Sequence, residues 1–160
     1  MTSARSGSVS VHIDAPAETV WEVLSHLERM GEWSPECYRV RWEDGPTSPL
    51  VPGARFRGWN RFGWMRWSVA CQVKSAVPAR ELSFATLVRE REMTTWSYHI
   101  RPVGQGVDLV ESFQVHWLPP SARIAEDYLM RDRNRRRQQA MLATLENIKR
   151  LAEAQAPSAP

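Results

Sequence analysis

Few side chains in this sequence could carry chemistry, and Glu111 comes first among them. It stands in the run Leu109, Glu111, Phe113, Val115, whose alternate positions share one face of a strand. Its neighbours there are apolar, so the carboxylate falls on the inner face. Loss of solvation would raise its pKa, and the group could then act as a general acid or base or fix a ligand hydroxyl. An arginine partner, a hydrogen bond from Tyr98 or a watery rim position would satisfy it equally well, and a local bulge would turn it outward. Tyr98, in the run Trp96, Tyr98, Ile100, is the second catalytic candidate.

The remaining chemistry-bearing residues read as ordinary. His12, His26, His99 and His116 stand alone, and neither Cys37 nor Cys71 has a partner at ligand spacing, so no metal and no cofactor is expected. Strand parity puts His12, His99 and His116 on the outer face. Cys37 follows Pro35-Glu36 without a basic partner and reads as a small packing residue. Gly104-Gln105-Gly106 sits in a hairpin turn rather than at the opening of a helix, so it is no phosphate loop. No serine has a nucleophile-elbow context.

The elements that must position Glu111 are legible from periodicity. Val9, Val11 and Ile13 alternate over residues 8–13, a half-buried strand. Asp14-Ala15-Pro16 reads as a helix entry, and Val20, Val23, Leu24 and Leu27 follow at helical spacing, so one or two short helices are expected over about 16–31. From Cys37 the period is two, interrupted by turns at Gly45-Pro46, Pro52-Gly53, Asn60–Gly63, Pro78, Arg89–Glu92 and Pro102–Gly106. Centring each hairpin on its turn pairs Phe56 with Trp67, Cys71 with Phe84, Phe84 with Tyr98 and Trp96 with Glu111. Every apolar set then shares one face of one antiparallel sheet, with the arginines on the other.

That inner face is rich in rings. The chain has eight tryptophans, and Trp42, Phe56, Trp67, Phe84, Trp96, Tyr98 and Phe113 share the inner parity. Beyond Pro119-Pro120 a helix is expected from about 122 to 154, interrupted near Leu129. Met141, Leu145, Ile148 and Ala152 form its apolar stripe, which continues backward to the polar Gln138 and Asn134. Rings facing a helix whose near end is polar suit a ligand pocket, with Glu111, Tyr98, Asn134 and Gln138 orienting the ligand and Met141 completing the wall. Several of the rings could equally be plain core. Met30, Trp33 and Leu50 lie on connections expected to cover the mouth.

Size and composition bound the rest. At 160 residues, 42% hydrophobic and 24% charged, the chain reads as one globular domain over 8–154, with 1–7 and 155–160 as disordered tails. No apolar run approaches membrane-spanning length, no secretory h-region is present, and two cysteines fit a reduced cytoplasmic setting. The net charge of +3 does not by itself imply nucleic acid. The segment RDRNRRR holds Arg131, Arg133, Arg135, Arg136 and Arg137; it reads as a solvated helix face, or else as a stripe for nucleic acid or anionic lipid.

The order strand, two short helices, six-strand meander, long helix is that of the helix-grip fold. The stretches IDAPAETVWEVLSHLERMGEWSPEC, PGARFRGWNRFG, TTWSYHIRPVGQGVDLVESF and NRRRQQAMLATLENIKRLAE resemble the START-like, pollen-allergen-like SRPBCC superfamily, and within it the actinobacterial polyketide cyclase/dehydrase branch. The resemblance covers about residues 8–153. It implies an α+β fold in which a seven-stranded antiparallel sheet wraps a long C-terminal helix around a cavity for a hydrophobic small molecule. The expected function is binding, or transport, of a lipid-like or polycyclic ligand. A cyclase or aromatase working in the same cavity is the first alternative, and a toxin-like or co-chaperone-like interaction protein the second; fold alone does not choose between them.

Overall fold

Strands form where the alternating pattern predicts them. The computed structural model describes residues 4–129 and 132–156. Its strands are β1 (Ser6–Ile13), β2 (Cys37–Trp42), β3 (Arg55–Phe62), β4 (Met65–Val77), β5 (Glu81–Val88), β6 (Arg91–Val103) and β7 (Gly106–Val115). They make one antiparallel sheet in the order β1-β7-β6-β5-β4-β3-β2, a meander whose last strand pairs back onto the first. β1 begins before residue 8: Ser6 and Gly7 pair with Gln114 and Phe113, so these two residues are strand rather than tail. Gln155, also expected in a tail, ends the last helix; tail positions 1–3 and 157–160, and Arg131 of the arginine segment, lie outside the described residues.

The hairpin partners differ from those expected, though the faces do not. Phe56 pairs with Cys71, Val73 with Phe84, Phe84 with Trp96, and Trp96 with Phe113, while Tyr98 faces Glu111. The turns are tighter or differently centred than the sequence suggests; Phe62 already pairs with Met65 across Gly63-Trp64. Each shift is by an even number of residues, and an even shift leaves a side chain on its own face.

Pro16 leads into α1 (Ala17–Ser25), which buries Val20, Val23 and Leu24, and a 3-10 segment (Leu27–Glu32) buries Leu27 and Met30. After β7 come a short helix, α2 (Pro120–Ile124), a π-helical turn (Ala125–Leu129) and the long α3 (Arg133–Gln155). The expected interruption near Leu129 is therefore real.

α3 packs against α1, β1 and β7, and its C-terminal half closes a solid core. Ile13, Val20, Leu24, Leu27, Leu82, Leu109, Leu145, Ile148 and Ala152 there are fully buried. Towards its N-terminus the buried face runs through Met141 and Thr144 to Arg137 and Arg133, and not through Gln138 and Asn134, which are exposed. Stepping back four residues from Met141 reaches Arg137 and Arg133, whereas stepping back three reaches Gln138. The helix takes the four-residue step because carboxylates wait for both guanidinium groups on the inner side.

Candidate ligand-binding cavity

Between the sheet and the N-terminal half of α3 lies a cavity of about 480 Å³, well within the range of roughly 300–1,000 Å³ typical of small-molecule sites. Its apolar wall is made by Phe56, Trp67, Phe84 and Trp96 from the sheet, Met141 from α3 and Met30 from the 3-10 segment. Gly58 of β3 also faces it, and the missing side chain contributes to the space. The roof is Leu118, Pro119, Ser121 and Ala122 with Ala125 and Glu126, from the segment that leads into α3. On the side of the β3–β4 turn the lining includes Asn60, Met65 and the exposed Arg66, so the cavity meets solvent between this turn and the roof.

Glu111 and Tyr98 form the polar point of the wall. Both are buried, and the Tyr98 hydroxyl donates to Glu111 Oε1 at 2.9 Å. Burial pushes the Glu111 carboxyl up to about 8, the Glu36 charge adds to the rise, and the tyrosine hydrogen bond opposes it. Glu111 is thus a mostly neutral acid at pH 7. Its Oε2 is buried with no hydrogen-bond partner among the described residues. A buried, unpaired carboxyl oxygen on a cavity wall is costly unless something fills the cavity beside it. Tyr98 is held from behind by Trp33, edge-on at 6.0 Å between ring centres.

A second polar cluster sits at the roof end. Arg133 binds Glu36 through both terminal nitrogens, at 2.8 and 3.1 Å, and Arg137 binds Glu126 at 2.9 Å. Arg137 also lies 4.7 Å above the Phe113 ring. Burial, then the nearby Arg133, pull the Arg137 pKa down while Glu126 and Glu36 pull it up. Two arginines on α3 therefore hold the connection before β2 and the roof, Arg133 through Glu36 with its Nε 3.9 Å from Glu126, and Arg137 through Glu126.

Among the residues singled out from sequence, Phe56, Trp67, Phe84, Trp96, Tyr98, Glu111, Met141 and Met30 converge on the cavity. Trp42 and Phe113 stand one layer behind: Trp42 packs edge-on against Phe56 at 5.7 Å, and Phe113 against Trp96 at 5.5 Å. Trp33 is likewise a supporting ring rather than a mouth residue, and Leu50 is half-buried against the core, away from the lining. Asn134 and Gln138 do not reach the cavity; Asn134 Oδ1 instead accepts a hydrogen bond from the backbone N–H of Ala4. Sequence reasoning missed Glu36 and Glu126 and treated Arg133 and Arg137 as surface. The available signal was the i, i+4 spacing of the two arginines with Met141.

Cys37 and Cys71 also line the cavity, and burial pushes the Cys37 thiol up to about 11, which suits packing rather than nucleophilic attack. Outside it, His12 pairs with Asp108 and Asp14, Arg55 with Glu43 and Glu90, and Arg57 donates to Ser68. No described helix is long and apolar enough to cross a membrane.

Residues 4–153 match a protein family described as polyketide cyclase/dehydrase and lipid transport. No curated protein matches the sequence significantly. Among solved structures, a Thermus thermophilus protein is similar with a TM-score of 0.73 at 14% identity, over 95% of this chain and 99% of that one. An aromatase/cyclase from Streptomyces sp. R1128 gives 0.68 at 17% identity, over 96% of each chain. A polyketide-cyclase-like protein from Corynebacterium glutamicum gives 0.55 at 26% identity, over 96% of this chain and 90% of that one.

Proposed function

Because the chain belongs to the polyketide cyclase/dehydrase and lipid-transport family of the SRPBCC superfamily, we propose that it binds a hydrophobic small molecule, lipid-like or polycyclic, in the cavity between sheet and α3. The observation that carries this reading is the unpaired Oε2 of Glu111 on the wall of a roughly 480 Å³, ring-lined space. Affinity comes from burying apolar ligand surface, about 25 cal/mol per Å² before the costs of ordering. Orientation comes from Glu111, whose neutral carboxyl donates from Oε2 to a ligand hydroxyl, ether or carbonyl oxygen while Tyr98 steadies Oε1.

A titration with a panel of fatty acids, flavonoids and aromatic polyketides, read by quenching of tryptophan emission, tests this. Saturable binding that weakens about tenfold in Glu111→Leu, and less in Glu111→Gln, whose amide N–H can still donate, fits one lost hydrogen-bond donor. Full affinity in Glu111→Leu would remove Glu111 from the ligand contact, and no binding by any member of the panel would count against the cavity.

The neutral state of Glu111 also favours one catalytic reading. A cavity that folds a poly-keto chain into one conformation raises the effective concentration of its reacting carbons. Glu111 would then protonate the carbonyl oxygen as the new carbon–carbon bond forms. Turnover retained in Glu111→Gln would exclude this role.

A further inference from the structure

The four most exposed large apolar side chains among the described residues are Trp64 at 80%, Tyr128 at 74%, Ile124 at 58% and Leu129 at 56%. All four sit on the two segments that flank the cavity mouth. Trp64 is the second residue of the two-residue β3–β4 turn, after Gly63 at φ +58°. Nothing in that turn requires an indole. Ile124, Tyr128 and Leu129 belong to the roof, where Glu126 is held inward by Arg137 and so turns the opposite side of the π-helical turn to solvent.

The same rim is positively charged. Arg61 and Arg66 on the hairpin, Arg123 on α2 and Arg136 on the first turn of α3 are exposed. None of them has a carboxylate at salt-bridge distance among the described residues. Arg66 donates only to the carbonyls of Gly63 and Met65, and Arg136 lies 5.1 Å over the Phe62 ring. Against these stand the exposed acids Asp127 and Asp132. Indole and phenol rings with arginines are the side chains that partition to a headgroup layer, and aliphatic groups add insertion just below it.

We propose that this rim docks on the surface of an anionic lipid bilayer, with Trp64 and the Ile124–Leu129 side of the roof entering the headgroup region and the four arginines meeting lipid phosphates and carboxylates. Charge complementarity chooses this occupant. A second copy would bring the same cationic rim against itself, and Ile124 and Leu129 have no stacking or pairing role against nucleic acid. Docked in this way, the mouth faces the bilayer. The proposal rests on the exposed rim and stands whether or not the cavity holds a ligand.

Co-sedimentation with vesicles of phosphatidylcholine alone, or mixed with phosphatidylserine, tests it directly. The expected result is binding to the mixed vesicles that falls steeply with salt, since each arginine near the surface is worth about fivefold, together with a blue shift of tryptophan emission. Trp64→Ser/Tyr128→Ser should lose about tenfold or more of this binding. Because both side chains are exposed, the double variant should melt like the parent, and Arg66→Glu gives an independent loss should it not. Equal binding of parent and variants, no binding to the mixed vesicles at low salt, or a concentration-dependent dimer abolished by the same substitutions would each overturn the proposal. Single-stranded RNA competing fully with the vesicles while Trp64→Ser/Tyr128→Ser leaves RNA binding intact would overturn it too.

Discussion

Glu111 makes the folded state hold a proton that the unfolded chain releases. Its carboxyl titrates near 8 when folded against an ordinary value of 4.5. Between those values the folded state binds more protons than the unfolded one, so stability falls as pH rises through that window and levels off above it. Equilibrium denaturation from pH 5 to 9 should show this decline, and Glu111→Gln should flatten it. In Tyr98→Phe the hydrogen bond that lowers the Glu111 pKa is gone, so the transition should move to higher pH. A downward move would mean that the tyrosine does not stabilise the carboxylate. Parity was enough to put Glu111 and Tyr98 on the inner face. Their mutual hydrogen bond was only one of several open alternatives, because it depends on Tyr98 standing directly opposite Glu111, and a register error of two residues hides that.

At the scale of elements, α3 shows what periodicity can and cannot settle. The stripe Met141, Leu145, Ile148, Ala152 was legible because apolar residues mark it. Its continuation was not, since both Arg137 and Gln138 are polar and a helix repeat of about 3.6 residues admits a step of three or four. The carboxylates Glu36 and Glu126 decide the phase, one 97 residues from Arg133 and the other 11 residues from Arg137 beyond a break in the helix, and no helical periodicity announces either. With Arg137 and Glu126 both largely buried, Arg137→Leu should cost up to about 3 kcal/mol, because it leaves Glu126 only the Arg133 Nε at 3.9 Å. Replacing both, Arg137→Leu with Glu126→Leu, should recover most of that loss in a denaturant-based double-mutant cycle. Two additive losses would show that the pair is not coupled.

On the scale of the whole molecule, one end of α3 closes a filled core and the other closes a space. Leu145 is fully buried, so Leu145→Ala should lower stability by about 2–5 kcal/mol. Gly58 faces the cavity, and the nearest atom to a Cβ built there is Cys37 Sγ at 3.4 Å. Gly58→Val should therefore fold, with a stability change within about 1 kcal/mol since valine suits a strand better than glycine, while filling part of the site. Comparable thermal unfolding losses in both variants would contradict this division. The meander, its faces and the helix order were readable because turns and alternation are local signals. A pocket between these rings and the helix was expected, but whether it stands open was not readable, since an empty volume depends on how far the rings of Phe56, Trp67 and Trp96 stand from α3.

Native mass spectrometry of the protein purified without detergent, followed by organic extraction, bears most directly on the cavity as a binding site. The expected result is a stoichiometric small molecule of hydrophobic character, retained by Leu145→Ala and depleted in Gly58→Val. Bare protein that also ignores fatty acids, flavonoids and aromatic polyketides, or a bound molecule that Gly58→Val retains unchanged, would contradict it.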